Sequence, residues 1–263
     1  MGVVDLNGRV IMKNLFIVSI FLFAGSAFGS FLDYCNGDLS VEEKVTLAYI
    51  KIETRAFSCE ELNEKRANLK VLEVNNTKEI KDISVFKYFR ELEILDLSQN
   101  KFIEDLTPLS DLINLKKLYL AGNKIKDVAP LKDLVNLRVL DLSINKIRKF
   151  GSLRNLSNLI TFKLNWNMLN DISPLADMTS IEVIFLKGNI IGKISVLSGL
   201  TKLRKVHVFF NAIGDLSPLA ELQNLDTLTA EYNPVRKNEK DCPVAEGVPL
   251  VLSKFCKEYL AKD

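Results

Sequence analysis

An asparagine returns at a fixed interval along most of this chain. Asn123, Asn145, Asn167, Asn189, Asn211 and Asn233 follow one another every 22 residues, and Asn100 lies 23 residues before the first of them. Each stands at the ninth place of a segment whose first, fourth and sixth places are apolar, as Leu115, Leu118 and Leu120 are before Asn123. A unit this short cannot bury its own apolar face, so a strict repeat of it predicts a solenoid in which every coil is completed by its neighbours. Within each coil, apolar residues alternating with polar ones read as a short strand. The fourth and sixth places face the interior, and the third, fifth and seventh face outward.

The coils LKKLYLAGNKIKDVAPL from Leu115, LRVLDLSINKIRKFGSL from Leu137, LITFKLNWNMLNDISPL from Leu159 and IEVIFLKGNIIGKISVL from Ile181 share one register, and LKVLEVNNT from Leu69 is a degenerate first copy with Thr77 at the ninth place. In this grammar, L-x-x-L-x-L-x-x-N-x-I-x-D-I-S-P-L, the chain resembles exported bacterial leucine-rich repeat proteins with 22-residue, internalin-like repeats over about residues 67–233. The predicted fold class is an α/β repeat: a leucine-rich repeat solenoid of about eight coils, with a concave parallel β-sheet and short 3-10 or helical turns on the convex side. The ninth-place asparagines turn inward, where an amide both donates to and accepts from backbone groups. Thr77 offers only a hydroxyl. Asp171-Ile172-Ser173-Pro174-Leu175 and Asp215-Leu216-Ser217-Pro218-Leu219 place a capping side chain before a proline, suited to opening a helical turn. Lys149-Phe150-Gly151-Ser152-Leu153 and Lys193-Ile194-Ser195-Val196-Leu197 depart from that pattern but keep its length, so the coil is expected to persist.

A solenoid exposes apolar edges at both ends and needs caps. Residues 30–66 contain Ser40-Val41-Glu42-Glu43 and Ser58-Cys59-Glu60-Glu61, two capping-box patterns that predict two short helices. Residues 234–263 break the repeat at Pro234, and their apolar segment from Val248 to Tyr259 is expected to close the last coil. Cys35 and Cys59 fall in the first cap, Cys242 and Cys256 in the second. At ~4.8 Å per strand the caps stand roughly 34 Å apart. A disulfide tolerates less than about 7 Å between α-carbons, which restricts pairing to Cys35 with Cys59 and Cys242 with Cys256. The spacing fits no zinc motif, so no metal is expected.

MKNLFIVSIFLFAGSAFGS, from Met12, has basic Lys13, an apolar run from Leu15 to Ala24, and small Ala27 and Gly29 at peptidase-readable positions. It predicts a signal peptide cleaved after Gly29, with residues 1–11 as an upstream extension and no membrane span in the mature chain. An exported protein in the periplasm, at the cell surface or secreted follows, and its compartment permits the disulfides.

A net charge of +2 lacks the basic excess of a nucleic-acid binder, and one histidine leaves no nucleophile-base pair. No enzyme and no cofactor are expected. Across the repeats the fifth, seventh and eighth places concentrate aromatics toward the C terminus, which marks Trp166, Phe185, Phe209, Phe210 and Tyr232, with Lys187, Lys205 and His207 among them, as a candidate docking surface for a protein partner. Lateral packing between coils is the competing reading of the same rings. For the whole chain, the alternative to an exported binding module is a cytosolic regulatory scaffold of the phosphatase-binding repeat type.

Overall fold

In a computed structural model of the chain, residues 3–4, 10–11 and 30–261 are described. The chain divides into two units, Met1–Ser30 and Phe31–Asp263. In the first, β1 (Val3–Val4) and β2 (Val10–Ile11) pair antiparallel. The expected signal peptide lies outside the described residues. Among those that are described, no helix is long and apolar enough to cross a membrane.

The second unit is built on one parallel sheet of eight strands in chain order: β3 (Val71–Glu73), β4 (Ile94–Asp96), β5 (Lys117–Tyr119), β6 (Val139–Asp141), β7 (Thr161–Lys163), β8 (Val183–Phe185), β9 (Lys205–His207) and β10 (Thr227–Thr229). Each strand pairs with the next one repeat further on, Leu118 with Leu140 and Ile184 with Val206. The central residue of every strand is apolar and buried, as are Leu120, Leu142, Leu164, Leu186 and Val208 two places later. Each coil therefore closes its neighbour's core, as the repeat predicts.

Seven 3-10 turns form the opposite wall, including Thr107–Leu109, Gly151–Leu153, Ser173–Asp177, Ser195–Gly199 and Ser217–Leu219. The two divergent coils keep their turns, and in one of them Phe150 packs edge-on against Phe162 at 5.7 Å. The capping side chain before each proline is the aspartate. Ser173 and Ser217 are the first residues of their turns, and it is the aspartate two places earlier that accepts their backbone N–H, Asp171 Oδ1 and Asp215 Oδ1 each at 2.8 Å. A carboxylate reaching two residues forward forms an Asx turn, and a charged acceptor makes the stronger bond.

The ladder asparagines are buried or nearly so, and each bridges two coils. Asn167 Nδ2 donates to the carbonyls of Leu142 and Leu164, at 3.0 and 3.2 Å, while its Oδ1 accepts from Ile147 N–H at 2.9 Å. Asn145, Asn189, Asn211 and Asn233 repeat the arrangement. Asn123 donates in the same way, but its Oδ1 has no partner. The extra residue after Asn100, where Lys101 takes a left-handed φ of 70°, carries the expected N–H donor away. Asn100 Oδ1 instead accepts from Thr77, whose hydroxyl lies at 2.6 Å and itself accepts from Ile80 N–H.

Both ends are closed. At the N-terminal end stand α1 (Phe31–Cys35), α2 (Val41–Thr54) and α3 (Cys59–Arg66). Ser40 and Glu43 complete a full capping box. Ser58 caps Glu61, but Glu61 reaches past it to Phe57 N–H, so the second box is half formed. Helix α1 is not predicted by the sequence, because five residues carry no period. At the far end α4 (Leu250–Leu260) buries Leu252 and Cys256. Disulfides join Cys35 to Cys59 and Cys242 to Cys256, with Cα separations of 5.9 and 5.3 Å.

Candidate functional site

The concave face changes character along its length. Its N-terminal half presents Glu73, Asp96 and Asp141 around Tyr119, whose phenol is held above its ordinary range by burial first and then by those carboxylates. At the junction Lys163 serves both halves: its Nζ lies 3.4 Å from Asp141 Oδ2 and 5.7 Å from the centre of the Phe185 ring. Beyond it the face is aromatic.

Strands β8, β9 and β10, with the residues just past their ends and Asn165 just past β7, line an open hollow of about 420 Å³ formed by Asn165, Phe185, Lys187, His207, Phe209, Thr229 and Glu231. Phe185 and His207 stack face to face at 4.4 Å with planes 4° apart. His207 Nδ1 is bonded to Thr229 Oγ1 at 3.0 Å. Burial, followed by the adjacent Lys205, pushes the imidazole below its ordinary range, with Glu231 opposing. Lys187 Nζ sits 4.6 Å over the Phe209 ring and 5.4 Å from the Trp166 ring, joining the hollow to its rim.

The rim is made by the eighth place of each repeat. Phe210 and Tyr232 stack at 5.0 Å with planes 4° apart, Phe209 meets both edge-on, and Trp166 approaches Phe210 at 6.3 Å. Trp166, Phe210 and Tyr232 remain 48, 49 and 68% exposed, so packing between coils leaves about half of each ring or more open to solvent. Every eighth place takes a left-handed backbone: φ runs from 52° at Trp166 to 72° at Gly122. That turn carries the side chain out of the sheet's alternation and onto its edge. Gly188 supplies the space Trp166 needs, since a Cβ there would stand 2.1 Å from the indole.

Seven of the eight sequence-predicted residues thus meet in one hollow and rim. Lys205 is exposed on β9, outside the hollow lining, and acts on His207 through its charge. Sequence reasoning placed Asn165 and Thr229 in the outward rows without singling them out, and set Glu231 at the charged rim of the aromatic cluster. Gly188 was legible only as a glycine at the eighth place. A second ladder was missed: Asn114, Asn136, Asn158 and Asn224 each donate a side-chain amide to a carbonyl of the preceding coil, at 2.8 to 3.0 Å. Its signal is the same interval, one place before the first leucine of the repeat. Among the described residues no cluster of His, Cys, Asp and Glu is placed to hold a metal.

A family model for leucine-rich repeats in two copies matches residues 67–111 and 113–155. No curated protein matches the sequence. Among solved structures the chain is similar to internalin C2 of Listeria monocytogenes, at 27% identity and a TM-score of 0.70, over 81% of this chain and 92% of that one. A leucine-rich repeat protein of Leptospira interrogans matches at 24% identity and a TM-score of 0.62, over 68% of this chain and 47% of that one. The ectodomain of the Arabidopsis thaliana receptor kinase GASSHO1/SCHENGEN3, solved in complex with CASPARIAN STRIP INTEGRITY FACTOR 2, matches at 23% and 0.57, over 63% and 22%. The last two likenesses are of fold alone.

Proposed function

We infer that this leucine-rich repeat protein, with an internalin-like solenoid closed by disulfide-bearing caps, is an exported, non-enzymatic module that binds a protein partner through the C-terminal half of its concave face. One observation carries the reading. A continuous run of rings from Trp166 to Tyr232 lines and rims a hollow, held together laterally yet open to solvent on its outer surface. Rings buffered on one side by their neighbours lose little conformational freedom on binding and still offer apolar area. That combination is what interface hot spots are made of. Lys187 and Glu231 bring opposite charges into the lining, suited to orienting a partner. The caps support export, because disulfides persist in oxidising compartments.

A photo-crosslinking residue installed at Glu231, in the lining of the hollow, should form a defined protein adduct with the partner. The same residue at Lys132, on the convex side, should form none. Equal labelling from both positions would contradict the concave site.

A further inference from the structure

The two long edges of the solenoid differ in how their cations are partnered. Where the strands begin, cations interleave with carboxylates of neighbouring coils: Lys70 with Glu91 at 2.9 Å, Arg90 with Asp111 at 3.1 Å, Lys116 with Glu93 at 2.5 Å and Arg204 with Asp226 at 3.0 Å. Where the strands end, Lys124, Lys126, Lys146 and Arg148 occupy the first and third places after Asn123 and Asn145. Among the described residues none of these four forms an ion pair. Lys126, Lys146 and Arg148 enclose, with Met168, a hollow of about 240 Å³ that no carboxylate lines. Asp127, the nearest carboxylate in sequence, is turned to the backbone and accepts Ala129 N–H at 2.9 Å. Toward the N terminus the row continues through Lys124, whose Nζ lies 4.7 Å from the centre of the Phe102 ring, with Lys81 5.6 Å from the same ring.

Like charges clustered without ion-pair partners repel one another and set up a field that favours an anionic polymer. We propose that this edge binds a linear polysaccharide bearing a sulfate or carboxylate on each sugar. The cations stand two to a coil on two adjacent coils, ~4.8 Å apart at the sheet's spacing, between Glu104 and Asn170 at the equivalent places of the flanking coils, so two consecutive anionic groups of a polymer can meet them. Arginine and lysine are the side chains that hold such oxyanions. Met168 and Phe102 add apolar surface for the C–H faces of the sugars. Disulfides persist in oxidising compartments outside the cytosol, where nucleic acids are scarce, which favours a polysaccharide as the polyanion. A membrane surface fits less well, because the cations surround a hollow instead of standing on a flat face.

The test is calorimetric titration of the folded chain with heparin oligosaccharides. Wild type should bind, with an affinity that falls log-linearly as salt rises. Lys126→Glu/Lys146→Glu/Arg148→Glu should lose at least about tenfold in affinity, three oxyanion contacts having become repulsions. Lys132→Glu/Lys202→Glu/Lys254→Glu makes the same change in net charge at exposed sites elsewhere and should bind as wild type does. Matching melting temperatures establish that both variants are folded. Equal loss in the two variants would reduce the effect to net charge and overturn the site. So would wild type that ignores the oligosaccharide, or that binds phosphatidylserine vesicles or duplex DNA more tightly than heparin.

Discussion

Asn167 and Asn123 occupy the same place in their coils and do different amounts of work. Asn167 both donates and accepts, whereas Asn123 only donates, its carbonyl having lost a partner to the one-residue insertion upstream. Replacing Asn167 with alanine should cost ~1–3 kcal/mol, because buried backbone groups on two coils lose their partner. Asn123→Ala should cost less by about 1 kcal/mol, and equal costs in denaturant titrations would show that the orphaned oxygen is satisfied after all. His207 gives a pH test. Its folded-state value lies below the unfolded one, so the unfolded chain takes up a proton first as pH falls. The stability this contributes is complete above the ordinary histidine range near ~6.5 and is lost as pH falls through that range. The melting-temperature advantage of wild type over His207→Gln should therefore shrink between about pH 8 and about pH 5, and a constant gap would refute the lowered value of the half-buried imidazole. The asparagines were legible because an amide is the one small side chain that serves both backbone partners. The left-handed eighth place was not. Gln99, Ile144, Trp166, Phe210 and Tyr232 have no preference for that conformation, which costs ~1–2 kcal/mol per residue, and the solenoid's packing imposes it on them.

Among the elements, the strands and caps were readable because each depends on a pattern of residue types: apolar alternation, serine followed by glutamate, paired cysteines. Details set by neighbours were not. Nothing in Ser58-Cys59-Glu60-Glu61 distinguishes it from a complete capping box, and only the packed loop sends Glu61 to Phe57 instead of Ser58. The turn between β8 and the rim yields a direct experiment. Gly188 allows the indole of Trp166, the chain's one tryptophan, to lie across it. Gly188→Ala would place a Cβ inside that ring, so it should displace Trp166 and shift its fluorescence emission to the red. An unchanged spectrum would show that the indole does not lie there. The C-terminal cap has its own measure. Cys242 and Cys256 stand 14 residues apart, and α4 covers the last strand. Cys242→Ser/Cys256→Ser should lose ~3 kcal/mol by the chain-entropy estimate for a loop of about 15 residues, and unchanged stability would mean that α4 holds without its bridge.

For the molecule as a whole, the sheet joins every coil to the next, so stability is a sum of neighbour contacts and the caps protect its two ends. The concave face lies outside that sum over much of its area. Phe185 and Phe209 leave the sheet on the side away from the leucine core, and the rings of the rim are half exposed. Their position was legible from periodicity alone, but their use was not, because outward rings serve lateral packing and docking with the same residue types. Measuring partner affinity and melting temperature together on Phe185→Ala/Phe209→Ala separates the two uses. A hot spot predicts that affinity falls by ~2 kcal/mol or more, while Tyr119→Ala in the N-terminal half of the face leaves binding intact and the melting temperature of the double variant drops only slightly. A large fall in melting temperature with affinity unchanged would make the aromatic run a packing device and contradict the docking site.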